Sequence, residues 1–226
     1  MKLMLARPKN HDRRLARANN ARNALVASRL AAEPVSLEAL PTDSALAHYR
    51  RVRFAGTYDF AHEIVFTNRI HDGSPGVNLV TPLRPYRGLG GDTVVLVDRG
   101  WVYSPDGASV DQAKWREPDR VAGTGYVQEF TRSAWAAASP EHPERLRWLD
   151  PMTVAGWSGY PVAEYYVVVE PDSENTETNV PVRIPVPPLD EGPHMSYAIQ
   201  WFAFAAIALV GPFLALYGKG ASRHQK

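Results

Sequence analysis

The chain of 226 residues contains no cysteine. Disulfides, thiolate metal sites and cysteine nucleophiles are therefore excluded. The glycines of Gly156-Trp157-Ser158-Gly159 have the wrong spacing for the nucleophile elbow of a serine hydrolase. The turn Gly88-Leu89-Gly90-Gly91 lacks both the Lys-Ser/Thr pair of a phosphate-binding loop and the third glycine of a dinucleotide-binding turn. We interpret these glycines as hairpin residues.

Metal-binding and acid–base patterns are also missing from the sequence. None of the seven histidines lies two or four residues from another, so the spacing does not predict a zinc site. Carboxylates are plentiful, but no spacing singles out an acid–base pair. The sequence therefore favours a protein that is not an enzyme.

Acidic residues are nearly absent from the two ends of the chain. Residues 1–32 contain eight Lys or Arg and one acid, Asp12, and the last nine residues contain three basic residues and no acid. Since the formal net charge is +1, residues 33–218 carry a net charge of −9. This acidic middle repels phosphate backbones and disfavours nucleic-acid binding, whereas basic ends suit anionic lipid headgroups.

One long uncharged run is present, the 23 residues of Met195–Tyr217. As a helix the run would be about 34 Å long, enough to cross a hydrocarbon core of about 30 Å. It predicts a transmembrane helix; the alternative is a buried core helix. Asp190 and Glu191 precede the run and three basic residues follow it, so the positive-inside rule places residues 218–226 in the cytoplasm and the preceding domain outside.

Export of that domain needs a signal that the sequence does not show. The apolar run Leu3-Met4-Leu5-Ala6 is too short for a signal peptide. Either the domain stays in the cytoplasm on a tail anchor, or a first membrane span lies upstream of this chain. We favour the second interpretation.

The region before the apolar run is predicted to be mainly β. A basic helix over His11–Ala32 comes first and ends at Glu33-Pro34. Arg51–Tyr58 alternates polar with apolar residues, as a half-buried strand does, and the continuous apolar run Val94–Val97 is typical of a central strand. The remaining predicted elements are strands at Glu63–Asn68, Gly76–Leu83, Thr93–Tyr103, Val121–Phe130 and Tyr165–Glu170 and a helical turn at Pro151–Trp157.

Short strands at this spacing predict a small antiparallel β-barrel or sandwich. We divide the chain into a basic helical segment (1–47), a β-rich domain (48–170), a polar loop and proline-rich tether (171–194), a transmembrane helix (195–217) and a basic tail (218–226).

Three residues stand out as candidates for a site. His194 directly precedes the apolar run, where a helix N-terminus favours the neutral imidazole that coordinates iron. It is either a ligand for haem or a metal, or an interfacial histidine facing headgroups. Gln200, the strongly polar residue within the run, is expected to form a hydrogen bond with a partner helix, with ligation as the alternative. Arg99 is expected to form a salt bridge with Asp98 or another acid or to cap the end of its strand, with direct ligand contact as the alternative.

Several motifs, taken in order, resemble the Surfeit locus protein one family. They are Gly56-Thr57-Tyr58, Asn68-Arg69, Gly76, Val80-Thr81-Pro82-Leu83, Val95–Val102 with its Asp98-Arg99-Gly100-Trp101, Trp148-Leu149-Asp150, and the closing His194–Phe202. Together they cover about residues 48–217. The family's first membrane helix has no counterpart in the chain, and Tyr103 stands where the family usually has proline.

The resemblance implies an assembly factor for haem-copper cytochrome c oxidase. Family members resemble two-helix membrane proteins whose β domain faces the periplasm or intermembrane space, which here implies the bacterial cell membrane. They assist delivery of haem a to the catalytic subunit, and some are thought to bind haem a through the histidine that matches His194. The resemblance also implies that partner contacts are made by Arg99, Gly100, Trp101, Tyr197, Gln200 and Trp201.

Two functions therefore compete. The first is a biogenesis chaperone that binds haem a, haem a delivery proteins or the catalytic oxidase subunit. The second is a permanent structural subunit of a respiratory complex, in which the β domain is a docking surface and His194 is merely interfacial.

Overall fold

The computed structural model describes residues 9–87, 89–131, 139, 141–171, 180–186 and 199–208. The chain forms two compact units, Leu25–Pro187 in one and Met1–Ala24 with Pro188–Lys226 in the other.

Helix α1 spans Lys9–Ala31 and confirms the predicted basic helix, which begins two residues earlier than expected. Residues 199–208 are also helical, and their large apolar side chains, such as Trp201 and Phe202, are exposed. Within the described ranges no helix combines the length and apolarity that crossing a membrane requires. Most of the predicted span 195–217 lies outside those ranges, so the span stays a prediction.

Among its described residues, the larger unit has eight strands with short helices between them. The strands are β1 (Val35–Ser36), β2 (Arg51–Tyr58), β3 (Ile64–His71), β4 (Ser74–Pro85), β5 (Val94–Tyr103), β6 (Arg120–Glu129), β7 (Arg145–Leu146) and β8 (Val162–Val169). The α-helices are α2 (Ser44–Ala47) and α3 (Pro151–Ser158), and the 3-10 turns are Leu37–Ala39, Phe60–His62 and Gln112–Trp115. The mainly β prediction is confirmed.

Five of the strands close a barrel. Strands β2, β6, β8, β5 and β4 pair in that order, and β4 pairs back onto β2. The predicted barrel is confirmed, but its strands are not all antiparallel as expected, because β5 and β8 run parallel. A closed ring with an odd number of strands cannot alternate direction all the way round, so at least one parallel pair is required. Outside the ring, β1 lies parallel to β2, and β7 lies parallel to β3.

The barrel core follows the alternation of the sequence. Val52, Phe54 and Tyr58 of β2 are buried in the core, and Arg53 between them is exposed. On β5 the side chains of Val95 and Val97 join the same interior cluster.

Strand β5 is covered on both faces, as the sequence predicts. Leu96 packs outside the barrel in a second cluster that includes Val154 of α3. Helix α3 begins where Asp150 caps it, with the carboxylate accepting from the Thr153 amide at 2.8 Å.

Candidate functional site

The motif Asp98-Arg99-Gly100-Trp101 lies on β5 at a β-bulge. Asp98 pairs with Val80 and Gly100 pairs with Leu79, so Arg99 is the extra residue between two regular pairs. A bulge bends its strand and re-aims the side chain next to it. Arg99 is 0% exposed and points inward, as Val95 and Val97 do.

Arg99 is the centre of a buried ion network. Its Nη2 donates to Glu63 Oε2 at 2.5 Å, and its Nη1 donates to Glu117 Oε2 at 2.5 Å. Its Nε donates to the hydroxyl of Thr81 at 2.9 Å, which in turn donates to Glu63 at 2.5 Å. Nη1 also donates to the carbonyl of Trp115 at 2.7 Å. The salt-bridge interpretation of Arg99 therefore matches the structure, with Glu63 and Glu117 as its acids.

Asp98 has a different role from that expected. Its carboxylate accepts from Asn78 Nδ2 at 2.8 Å and from the amide of Gly100 at 3.0 Å, and it does not pair with Arg99. Burial raises the pKa of Asp98, and these two hydrogen bonds offset only part of that effect. For Arg99, burial alone would lower the pKa, but the adjacent carboxylates of Glu63 and Glu117 raise it overall.

Gly100 and Trp101 hold the segment 180–186 against the barrel. The amide of Trp101 donates to the carbonyl of Val182 at 2.9 Å, and the amide of Val182 donates back at 2.7 Å. Gly100 has φ of 123°, and a Cβ there would lie 2.4 Å from the Val182 carbonyl oxygen. Only glycine allows this approach. Arg183, the next residue, donates to Glu117 and so joins the Arg99 network.

An open cavity of about 910 Å³ borders this network. Glu117 and Arg183 lie on one side of it, and the core residues Phe54 and Tyr58 line it from the barrel. At its rim Arg51 makes a forked pair with Glu170, with Nη2 to Oε2 at 2.8 Å.

A second cavity, of about 310 Å³, lies at the other mouth of the barrel. It is lined by the start of β8 from Val162 to Tyr165, whereas the larger cavity is lined by Val169 and Glu170 at the end of that strand.

A polar cluster outside the barrel was not anticipated from the sequence. The carboxylate of Asp59 accepts from His62 Nδ1 at 3.0 Å and from the Tyr160 hydroxyl at 3.1 Å. Burial would raise the pKa of Asp59, but the hydrogen bonds from His62 and Tyr160 hold it below its usual value. The His62 ring also lies edge-on to Trp157, with centroids 5.3 Å apart. The spacing of these residues in the sequence does not predict the cluster.

The structure places the predicted site residues in two groups. Arg99, Gly100 and Trp101 lie together near the segment 180–186. All three contact other residues of this same chain: Arg99 bonds the carbonyl of Trp115, and Gly100 and Trp101 contact Val182. Gln200 and Trp201 are exposed on the helical segment 199–208, in the other unit. His194 and Tyr197 lie outside the described residues, so their predicted roles stay predictions.

The acids of the Arg99 network were missed because they are far away in sequence. Glu63 lies 36 residues from Arg99, and Glu117 lies 18 residues from it. Thr81 belongs to the motif Val80-Thr81-Pro82-Leu83, which does not predict its hydrogen bonds with Arg99 and Glu63. Among the residues that the structure describes, no group of three or more His, Asp or Glu side chains is arranged to hold a metal ion.

Known proteins are similar to this chain over most of its length. The SURF1 family model matches residues 13–206. A SURF1-like protein of Monosiga brevicollis is 29% identical, over 88% of this chain and 78% of that protein. A SURF1-like protein of Rickettsia felis is 26% identical, over 72% of this chain and 71% of its own length. A SURF1-like protein of Mycobacterium bovis is 26% identical over 80% of this chain and 64% of that protein. This chain therefore belongs to the SURF1 family, the Surfeit locus protein one family whose motifs its sequence carries.

Proposed function

We propose that this chain is a membrane-anchored biogenesis factor for haem-copper cytochrome c oxidase. It assists insertion of haem a or stabilises the catalytic subunit during assembly. The observation that carries this proposal is the family match over residues 13–206, which includes the motifs on β2 to β5. The uncharged run Met195–Tyr217 supports the membrane anchor.

The geometry of the larger cavity supports a binding role. Its carboxylates are engaged, since Glu117 bonds Arg99 and Arg183 and Glu170 bonds Arg51. A general base needs a carboxylate or imidazole within reach of a substrate proton, and paired acids of this kind are poorly suited to the task. We therefore propose a chaperone without catalytic activity of its own.

The proposed cofactor is haem a, with His194 as an axial ligand to its iron. In this arrangement the β-barrel faces the periplasm, and residues 218–226 lie in the cytoplasm. In the proposed arrangement the Asp98–Trp101 motif is a structural motif. Its contacts with Val182, together with the bond from Arg183 to Glu117, are made within this chain. They fix residues 180–186 to the barrel, and these residues begin the sequence that leads to His194.

The competing function is a permanent subunit of a respiratory complex. The experiment that separates the two functions is purification of mature oxidase, followed by quantification of this chain by mass spectrometry against labelled peptides. An assembly factor is expected at well below one copy per catalytic subunit in active enzyme, and enriched in complexes that still lack haem a. One copy per active oxidase would instead establish a permanent subunit.

A further inference from the structure

The motif Asn68-Arg69 has no role in the proposed function, yet the backbone around it is irregular. It lies on β3 at a β-bulge, where the register with β4 shifts between Phe66 and Arg69. Asn68 has φ of 57°, in the left-handed region that residues other than glycine rarely adopt, and its amide donates to the carbonyl of Gly107 at 2.8 Å. A bulge re-aims the side chain next to it, so this backbone determines where Arg69 points.

Three contacts within the chain hold the guanidinium of Arg69 in place. Its Cζ lies 3.9 Å from the centre of the Phe66 ring. Its Nε donates to the carbonyl of Thr67 at 3.1 Å, and its Nη2 donates to the carbonyl of Arg147 at 3.4 Å. These contacts fix the guanidinium but do not neutralise it. Arg69 is only half-buried, which leaves it accessible to a solute.

Arg147 brings a second positive charge next to the first. Its backbone contacts the Arg69 guanidinium, and its own side chain is exposed. Within the described ranges neither arginine forms an ion pair with a carboxylate, whereas Arg145 pairs with Glu144. Burial lowers the pKa of Arg69, and the like charge of Arg147 acts in the same direction. The carboxylate of Asp98 opposes both effects, but it accepts its hydrogen bonds from other residues.

This arrangement of charges favours an anion with several oxygen atoms. A phosphate group presents oxygens to both guanidinium groups at once, and arginine forms paired, charge-assisted hydrogen bonds with phosphate. Because Arg69 is already fixed against Phe66, little side-chain freedom is lost when an anion binds to it. Residues 33–218 carry a net charge of −9, so the two arginines are a local exception in an acidic region.

We propose that Arg69 and Arg147 together bind a phosphate group. Arg69 supplies a guanidinium fixed in advance, and Arg147 supplies an exposed one that pairs with the remaining oxygens. The phosphate is either that of a free phosphate compound or that of an anionic lipid headgroup, and its chemistry at the two arginines is the same. The site involves neither haem a nor His194, so it goes beyond the proposed function.

Isothermal titration calorimetry on the full chain, held in a non-ionic detergent at low ionic strength, tests the proposal. The probes are inorganic phosphate and the short-chain lipid dihexanoylphosphatidylglycerol. We expect saturable binding of at least one probe, and the probe that binds more tightly identifies the source of the phosphate. Arg69→Gln and Arg147→Gln are each expected to weaken that binding about tenfold or more, since a hydrogen bond between charged groups is lost. Arg69→Lys is expected to weaken it less, because it keeps the charge and loses only the planar fork.

Arg53→Gln is the matched control for the loss of one positive charge. Arg53 is exposed on β2, and no carboxylate in the described part of the chain pairs with it. No loss of affinity is expected in this variant. Far-UV circular dichroism and thermal unfolding establish that each variant is folded. If Arg69→Gln does not fold, Arg147→Gln decides the question, because the Arg147 side chain is exposed.

The proposal is overturned if neither probe binds saturably, or if binding is unchanged in Arg147→Gln. Equal weakening by Arg53→Gln would also overturn it, since the anion would then respond only to the overall charge of the chain. None of these results bears on oxidase assembly. Normal oxidase in a strain that lacks the gene would refute the proposed function and leave the phosphate result untouched.

Discussion

At the scale of single residues, Arg99 is a charged side chain with 0% exposure at the centre of an ion network. It neutralises Glu63, which directly precedes β3, and Glu117, which lies in the loop before β6, and both carboxylates have little access to water. Removing one partner of a buried ion network leaves the others charged and unpaired, which costs more than the pair itself contributes.

Arg99→Met is therefore expected to lower the free energy of unfolding by about 3–5 kcal/mol. The measurement is denaturant unfolding of the full chain in detergent, followed by tyrosine and tryptophan fluorescence. Arg116→Met is the matched control, because Arg116 is exposed and pairs with Asp119 on the surface; a change below about 1 kcal/mol is expected there. Similar small losses in both variants would show that the network contributes little to stability.

His194 is the residue on which direct haem binding depends. If it is an axial ligand, His194→Ala removes one bond to the iron, and the haem a band in the reduced-minus-oxidised spectrum shrinks or shifts. Protein yield is expected to stay the same, since the 23-residue apolar run does not need the imidazole to insert.

Both forms are purified from cells that make haem a and compared at equal protein concentration. An unchanged band in the variant would remove His194 from the site. Absence of haem from the wild type would do the same and would leave a chaperone that binds only protein.

At the scale of elements, the docking of residues 180–186 on β5 depends on one glycine. Gly100→Ala adds a Cβ in front of the Val182 carbonyl and forces alanine into positive φ, so we expect a loss of about 2–4 kcal/mol. The direct readout is hydrogen exchange at the amides of Trp101 and Val182, which bond each other's carbonyls. Both amides are expected to exchange faster in the variant.

Gly73→Ala separates backbone strain from steric clash. Gly73 also has positive φ, at 76°, but a Cβ there meets nothing within 4 Å. This variant is expected to lose about 1–2 kcal/mol and to keep slow exchange at Trp101 and Val182. Equal exchange rates in the Gly100 and Gly73 variants would mean that the segment is not held by this contact.

The elements themselves were largely predictable from local pattern. The alternation in β2 indicates a strand buried on one face, and the apolar run in β5 indicates a strand buried on both faces. Both strands lie where the sequence predicts them. Strand β8 begins three residues before the predicted strand, at Val162, and burial already alternates over these first residues, with Ala163 and Tyr165 buried and Glu164 exposed.

Pairing and long-range contacts were not predictable in the same way. Closure of a five-strand ring requires at least one parallel pair, but no single strand encodes this closure or shows that the pair is β5 with β8. The partners of Arg99 were hidden for a related reason, since Glu63 directly precedes β3 and Glu117 lies in the loop before β6, and both reach Arg99 only in the folded chain. The inward direction of the Arg99 side chain could be predicted from the sequence. Alternate residues of a strand point to the same face, and Arg99 follows Val95 and Val97 at this spacing.

At the scale of the whole molecule, the proposed function rests on membership of the SURF1 family, on a barrel that holds residues 180–186 in place, and on a predicted membrane helix. It requires that oxidase assembly needs this chain. A strain that lacks the gene, without a second copy, is compared with the same strain carrying the wild-type gene. The measurement is the reduced-minus-oxidised spectrum of membranes, read together with cytochrome c oxidase activity.

The proposed function predicts a loss of the haem a band and of oxidase activity in the deletion strain, with bc-type cytochromes at normal levels, and recovery of both the band and the activity on complementation. A normal haem a band and normal oxidase activity in the deletion strain would contradict it.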